Sequence, residues 1–290
     1  LHIIYYTENN TYYGFEGLSV LQQNVNSFNL GTISENSLNK KVNILSNSNY
    51  DIILLSDVRA NKWGNKLVKK FLYSNTPYLL YLNSTDKKRG TGILIKKSIQ
   101  CVVSRTFKDA EENIFGLLIT IKGSPVLIMS IYGPNTDNSN IFYNNLNSII
   151  ERSNSTNLII GGDFNTTMDL SMINGPQDTV NLDLFNMRSN VNPYNGEKLN
   201  KLLRDFKLTD PFRIKNPLKR EFSYVPFSVN NMNRSRIDYI IVSDNLLIKS
   251  VVKYEPKLGK SFDHKPTLLI IGNSPKNRSK NIDPCMLKLN

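Results

Sequence analysis

The stretch Leu158-Ile159-Ile160-Gly161-Gly162-Asp163-Phe164-Asn165 constrains this chain more than any other. An apolar run leading into two glycines reads as a buried strand that ends in a tight turn. Residues two apart on an extended segment share a face, so Asp163 and Asn165 can converge on one small target while Phe164 packs inward. An ordinary strand-exit turn uses the same residue types, so the motif alone leaves turn and site both open.

The rest of the chain is patterned in a compatible way. Strands are expected at 17–25, 51–55, 78–82, 92–95, 115–121, 126–131, 236–242 and 267–271. Lys122-Gly123-Ser124-Pro125 reads as a hairpin connection. Helical spacing appears at Leu38, Val42 and Leu45, at Trp63, Leu67 and Phe71, across 141–150, and at Leu199, Leu202, Leu203 and Phe206. Strands with interspersed helices predict an α/β protein with sheets covered by helices. No internal repeat or convincing linker precedes residue 272, so 1–272 reads as one domain. Residues 273–290 read as a basic tail or the start of a linker.

A chain of 290 residues can bury a sizeable core. The net charge of +12 points to a polyanionic partner, either nucleic acid or an anionic membrane surface. No segment approaches the roughly 18 apolar residues of a membrane span. The first residues lack the basic region and cleavage site of a secretory signal, so the protein is not expected to be secreted. The absence of an initiator Met reads as an excised or processed segment. Cys101 and Cys285 form no metal or disulfide spacing, which suits a reducing compartment. With only two histidines in the chain, chemistry that needs an imidazole falls to His264 unless the terminal His2 contributes.

Polar residues cluster at the ends of several other apolar runs. Asn24 follows one and Asp57 the next. Tyr132 and Asn135 lie in Ser-Ile-Tyr-Gly-Pro-Asn, Asp238 in Arg-Ile-Asp-Tyr, and Asp263 with His264 in Phe-Asp-His-Lys-Pro. A lone Asp at a strand end is usually a cap or turn residue. The order Asn, acid, Tyr, Gly-Asp-x-Asn, Arg-x-Asp-Tyr and Asp-His resembles the endonuclease/exonuclease/phosphatase superfamily, with its DNase I-like and apurinic endonucleases. Leu208-Thr209-Asp210-Pro211-Phe212-Arg213, Glu221-Phe222-Ser223-Tyr224 and Ser235-Arg236-Ile237-Asp238-Tyr239 resemble more narrowly the endonuclease domain of LINE-type non-LTR retrotransposons.

The resemblance implies a four-layer α/β/β/α sandwich of two mostly antiparallel mixed sheets flanked by helices. It implies an endonuclease dependent on Mg2+, with Mn2+ as a substitute, that nicks duplex DNA to prime reverse transcription. A reverse transcriptase in the same polypeptide and a nuclear site of action follow from it. By the same resemblance Asp57 holds the metal with Asp263 close by, and Asn24 lies on metal water or phosphate. Asp163 positions or deprotonates the attacking water, and Asn165 orients it. His264 acts on a phosphate oxygen with Asp238 orienting its ring, and Tyr132 contacts phosphate. Arg59, Arg89, Asn135, Arg213, Tyr224, Arg234, Arg236 and Lys265 lie in or beside the motif loops and are candidates for DNA contact.

Two positions depart from the family pattern. Asp57 stands where a Glu is usual, one methylene shorter, and Phe262 stands where a Ser commonly precedes the Asp-His pair. These departures keep other readings in view, namely an apurinic repair endonuclease, a phosphatase or sphingomyelinase, and a catalytically weak DNA-binding module.

Overall fold

A computed structural model of the chain describes residues 15, 17–29, 33–60, 66–67, 70–71, 76–85, 88–135, 139–168, 178, 193–225, 234–247, 250–258 and 262–272. The expected strand and helix positions within these bounds form the predicted elements, with strand ends shifted by a residue or two and the helices running further than expected. Trp63, the segment 226–233 and the expected tail 273–290 lie outside the described residues.

One sheet is built from β1 (Ser19–Asn24), β2 (Ile52–Ser56), β3 (Tyr78–Asn83), β4 (Thr91–Lys96), β11 (Ser250–Tyr254) and β12 (Thr267–Ile271), in the order β11-β12-β1-β2-β4-β3. The other holds β5 (Cys101–Lys108), β6 (Ile114–Ile121), β7 (Ser124–Tyr132), β8 (Leu158–Asp163), β9 (Leu208–Thr209) and β10 (Asp238–Ser243), in the order β5-β6-β7-β8-β10-β9. Each sheet has one parallel pair near its centre, β1 with β2 and β7 with β8, and its other described pairs are antiparallel. Lys122 and Gly123 both have positive φ, at 48° and 82°, as the two central residues of a twist-matched two-residue hairpin require.

Strand alternation explains the layering. Val20, Ile52, Leu54, Ile93, Leu117, Ile128, Ile159, Ile240 and Leu269 point between the sheets and form the central core. The alternate residues Leu21, Ile53, Leu55, Leu94 and Leu268 face outward against Leu38, Val42 and Leu45 of α1 (Glu35–Ser46). On the other side Leu127, Met129, Ile131, Ile160 and Ile241 face α2 (Ser139–Ser153) and α3 (Pro193–Asp205). The result is the expected α/β/β/α sandwich, with helices supplying the cover that strands apolar on both faces need. Short helices α4 (Pro211–Lys215) and α5 (Asp244–Leu247) flank the β9–β10 end. Asp210 caps α4 by accepting hydrogen bonds from the Phe212 and Arg213 amides.

β5 was not foreseen. It is an edge strand whose side chains are mostly exposed, so no buried face marks it in the sequence. β11 and the two-residue β9 were likewise missed.

At one end of the central core the inner faces turn polar. Ser130 Oγ donates across the sheets to the Leu55 carbonyl at 2.8 Å. Gly161 points at Leu54 of the opposite sheet, where an added Cβ would lie 2.6 Å from Leu54 Cδ1. A Cβ on Gly162 would lie 2.0 Å from the Ile131 carbonyl oxygen on the neighbouring strand. A leucine methyl can rotate aside, whereas a carbonyl in a paired strand cannot. Gly162→Ala should therefore cost about 2–3 kcal/mol of unfolding free energy, and Gly161→Ala clearly less. Urea denaturation of the two variants checks this, and equal losses would refute the close β7–β8 approach as the reason for Gly162.

Candidate active site

The polar end of the sandwich gathers Gln22, Asn24, Asp57, Tyr132, Asp163, Asp238 and His264, all of them buried. Gln22 and Asn24 share the inner face of β1 with Val20. Each reaches across to an acid on the other sheet. Gln22 Nε2 donates to Asp238 Oδ1 at 2.9 Å, and Asn24 Nδ2 donates to Asp163 Oδ2 at 2.9 Å. Asp163 Oδ1 accepts the Asn165 amide at 2.9 Å, and Asn165, at φ 51°, donates from Nδ2 to the Gly133 carbonyl at 2.7 Å. The turn and the site were posed as alternatives for this motif, and Asp163 serves both. Phe164 packs inward, edge-on to Tyr239.

Asp238 Oδ2 sits 2.6 Å from His264 Nδ1, which leaves Nε2 facing Asp163 Oδ2 at 4.0 Å. Tyr224 forms isolated bridges to Ser235 and His264, and its ring lies 5.0 Å from the imidazole. Ser223 Oγ accepts the Ile237 and Asp238 amides at 3.1 and 3.0 Å and so fixes the start of β10.

Burial and the Asp238 charge raise the Asp163 carboxyl to about 7, opposed by His264 and the hydrogen bonds from Asn165 and Asn24. Burial alone would lower the His264 imidazole. The charge and hydrogen bond of Asp238, with Asp163 and Asp263, outweigh it and raise the ring to about 9. Between these values the site holds an ionised carboxylate and a cationic imidazole side by side.

Asp57 lies across the site at φ 57°, with burial raising its carboxyl against the pull of Arg59. Arg59 grips it with two bonds, Nε to Oδ1 at 2.5 Å and a terminal nitrogen to Oδ2 at 2.8 Å. Burial raises the Tyr132 hydroxyl, helped by Asp57 and Asp163, so it stays a neutral donor beside both acids. Asp263 Oδ2 accepts from Asn26 Nδ2 at 3.3 Å, while its Oδ1 is buried without a hydrogen-bond partner.

Asp163, Asp238 and His264 bring ligand atoms within 4.8 Å of one another. Their carboxylate oxygens and His264 Nδ1 each already join a hydrogen bond with Asn24, Asn165, Gln22 or one another, while His264 Nε2 does not, so the trio is a hydrogen-bonded relay that could also hold a metal. The orphaned Asp263 oxygen and the desolvated Asp57 carboxylate give an all-oxygen donor set, which suits a hard divalent cation.

A model of the endonuclease/exonuclease/phosphatase family matches residues 21–264. The chain belongs to that family. It is a hydrolytic enzyme of nuclease type, with the DNase I-like fold. Over 163 residues it is 28% identical to the transposon TX1 uncharacterized 149 kDa protein of Xenopus laevis, a match covering 56% of this chain and 12% of that protein. The chain thus spans only a small part of that relative. The fold is that of the AP endonucleases from Leishmania major (TM-score 0.70, 15% identity, 93% of each chain) and Archaeoglobus fulgidus (0.66, 16%, covering 88% of this chain and 99% of that one). A 3′ phosphatase from Neisseria bound to product DNA hairpin is similar too (0.67, 17%, 88% and 99%).

The residues proposed for DNA contact divide. Arg234 and Asn135 are exposed. Arg89 is paired to Glu111 at 2.6 Å, and Lys265 to Glu221 at 2.7 Å. The Tyr224 ring lies tilted against the His264 ring. Arg213 points its guanidinium at Asp178 and at the carbonyls of Asn216, Pro217 and Lys219. Arg236 needs correction. It is fully buried, bonded to Asp178 at 2.7 and 2.9 Å and to Asp210 at 2.6 Å, and stacked 4.6 Å from the Tyr239 ring centre. An arginine so enclosed holds the fold and does not meet DNA.

Sequence reasoning also missed residues. Gln22 was findable, because strand parity puts it on the face of Asn24. Lys41 was findable too, since it falls on the apolar stripe of α1. Its Nζ donates to the carbonyls of Val25, Asn26 and Ser27 at 2.6, 2.8 and 3.1 Å, tying down the loop after Asn24. Burial lowers this lysine to about 8 against the pull of Asp263 and Asp57. Ser223 stood within a motif without any sign of its role.

The two raised values set the pH response. If Asp163 serves as the base and His264 as a cationic donor, the rate should climb as pH rises through about 7 and fall beyond about 9. A pH–rate profile on wild type and His264→Gln checks this. The residual activity of the variant should lack the alkaline fall, and an unchanged fall would remove His264 from that role.

Proposed function

We propose that this domain is a Mg2+-dependent endonuclease that nicks duplex DNA and leaves a 3′-hydroxyl primer for reverse transcription of a transposon at its target. One observation carries the reading. A carboxylate held by Asn24 and an imidazole held by Asp238 face each other with 4.0 Å between Asp163 Oδ2 and His264 Nε2. An oxygen lying to one side of that line can hydrogen-bond to both at about 2.8 Å.

Asp163 takes a proton from water as the water oxygen bonds to phosphorus. The P–O3′ bond breaks, the departing oxygen gains a proton and becomes the 3′ hydroxyl, and the phosphate remains on the 5′ end. His264, cationic at neutral pH, donates from Nε2 to a non-bridging phosphate oxygen as charge builds there. Tyr132 supplies a second neutral donor. Bound Mg2+ would neutralise phosphate charge and stabilise the leaving oxygen, with Asp57 and Asp263 as its protein oxygens. Mn2+ would substitute.

Three observations support the DNA and transposon parts. The chain carries +12. It resembles a transposon protein of 149 kDa, large enough to include a reverse transcriptase in the same polypeptide. Its fold is shared by a 3′ phosphatase bound to product DNA hairpin, which favours nucleic acid as the polyanion. A chromosomal target would place the activity in the nucleus.

Conversion of supercoiled plasmid to the open circle, with Mg2+ and with EDTA, tests the proposal. Nicking should require the cation and leave ends that a polymerase extends directly. Asp163→Ala and His264→Ala should each lower nicking by about a hundredfold or more with DNA affinity within a few-fold of wild type. Full nicking by either variant would overturn the mechanism. Strict need for an abasic site would reassign the domain to repair. Salt-sensitive binding without any nick would leave a DNA-binding module.

A further inference from the structure

The backbone around Asp57 is held on both sides. The Val25, Ser27 and Phe28 amides donate to the carbonyls of Ser56, Asp57 and Val58 at 3.0, 2.9 and 2.7 Å. The Val58 and Arg59 amides donate to the Gly90 and Arg89 carbonyls, each at 2.9 Å. Val58 is buried between them, and both Asp57 and Arg59 have left-handed φ, at 57° and 47°. An aspartate has one methylene and two side-chain torsions with which to move. On a backbone this fixed, its carboxylate cannot swing away from a guanidinium held two residues later.

That guanidinium takes both carboxylate oxygens, in the fork geometry that makes arginine–carboxylate pairs strong. The carboxylate side chain is 5% exposed and its partner 36% exposed. The acid is therefore desolvated, whereas the arginine has open solvent on one side into which it can withdraw. Lys41 offers no substitute, because its three donors are spent on backbone carbonyls.

We propose that Arg59 is a resident counter-ion for Asp57, and that a divalent cation must displace it to be bound. Arg59 thereby sets how much divalent cation the enzyme needs. It makes the free enzyme stable without the ion, because the buried acid is never left bare. The proposal rests on the reading of Asp57 as a cation ligand, and the test separates the two.

Mn2+ alone is titrated into the whole chain and the free ion is followed by electron paramagnetic resonance. Variants are first checked for an unchanged circular dichroism spectrum and cooperative melting. Arg59→Gln removes the charge and half of the fork, so it should bind Mn2+ about tenfold more tightly than wild type. Arg59→Lys keeps the charge without the fork and should fall between them. A folded Arg59→Gln that binds Mn2+ no more tightly than wild type overturns the proposal. If that variant does not fold, Arg59→Lys carries the test by the same comparison. Asp57→Asn should bind Mn2+ at least tenfold more weakly with either residue at position 59. Binding unchanged by Asp57→Asn would remove Asp57 from the cation site, and the proposal with it.

Discussion

Two hydrogen bonds across the sandwich, Gln22 to Asp238 and Asn24 to Asp163, hold the rest of the site in place. They replace the apolar contacts that join the two sheets elsewhere. A buried carboxylate costs several kcal/mol unless hydrogen bonds and charges compensate it, so neither acid could sit there alone. Each amide satisfies one carboxylate oxygen and leaves the other free to bond elsewhere. Asp238 turns its second oxygen to His264, and Asp163 turns its own to the turn at Asn165. The distance between Asp163 and His264 is thus set by the spacing of the two sheets, which the missing side chain at Gly161 keeps close over Leu54.

The same logic runs through the surrounding charges. Asp57, Asp163, Asp238 and Asp263 converge in a region that excludes water. His264, Arg59 and Lys41 are the cations that make this tolerable. They do so with different firmness. His264 is enclosed and paired, Lys41 is tied to three carbonyls, and Arg59 alone is partly exposed. Of the three protein cations, only Arg59 has solvent into which it can withdraw.

Much of this was legible in the sequence because strands have a period of two. Once Asp163 was placed at a strand end, the matching placement of Asn24 and Asp57 at the ends of their apolar runs followed, whereas Asn165 lies past the strand in left-handed backbone and turns its side chain to the Gly133 carbonyl. The layers were legible because buried strands are continuous apolar runs and their covering helices carry stripes such as Leu38, Val42 and Leu45. What was not legible depended on contacts between distant segments. β5 has almost no buried face, so nothing in its residues distinguishes it from a loop. The role of Ser223 depends on the β10 amides that it meets, and a serine in a motif does not disclose its partner. The clamp of Arg59 on Asp57 depends on two left-handed residues, neither of them glycine, that no propensity would suggest.

Arg236 shows where proximity in sequence misleads. It stands two residues before Asp238, and parity puts both on one side, so a place beside the phosphate was a reasonable expectation. Arg236, however, points into the protein, where it is fully buried. There it meets Asp178, from the chain between β8 and α3, and Asp210, the cap of α4. Three charges that would each be ruinous alone become a network of directional bonds, stacked between the rings of Phe212 and Tyr239. Such a network adds less to stability than an apolar core of equal volume, but it admits few alternative packings. Its effect is on position. It fixes the start of β10, and with it Asp238, the residue that orients His264.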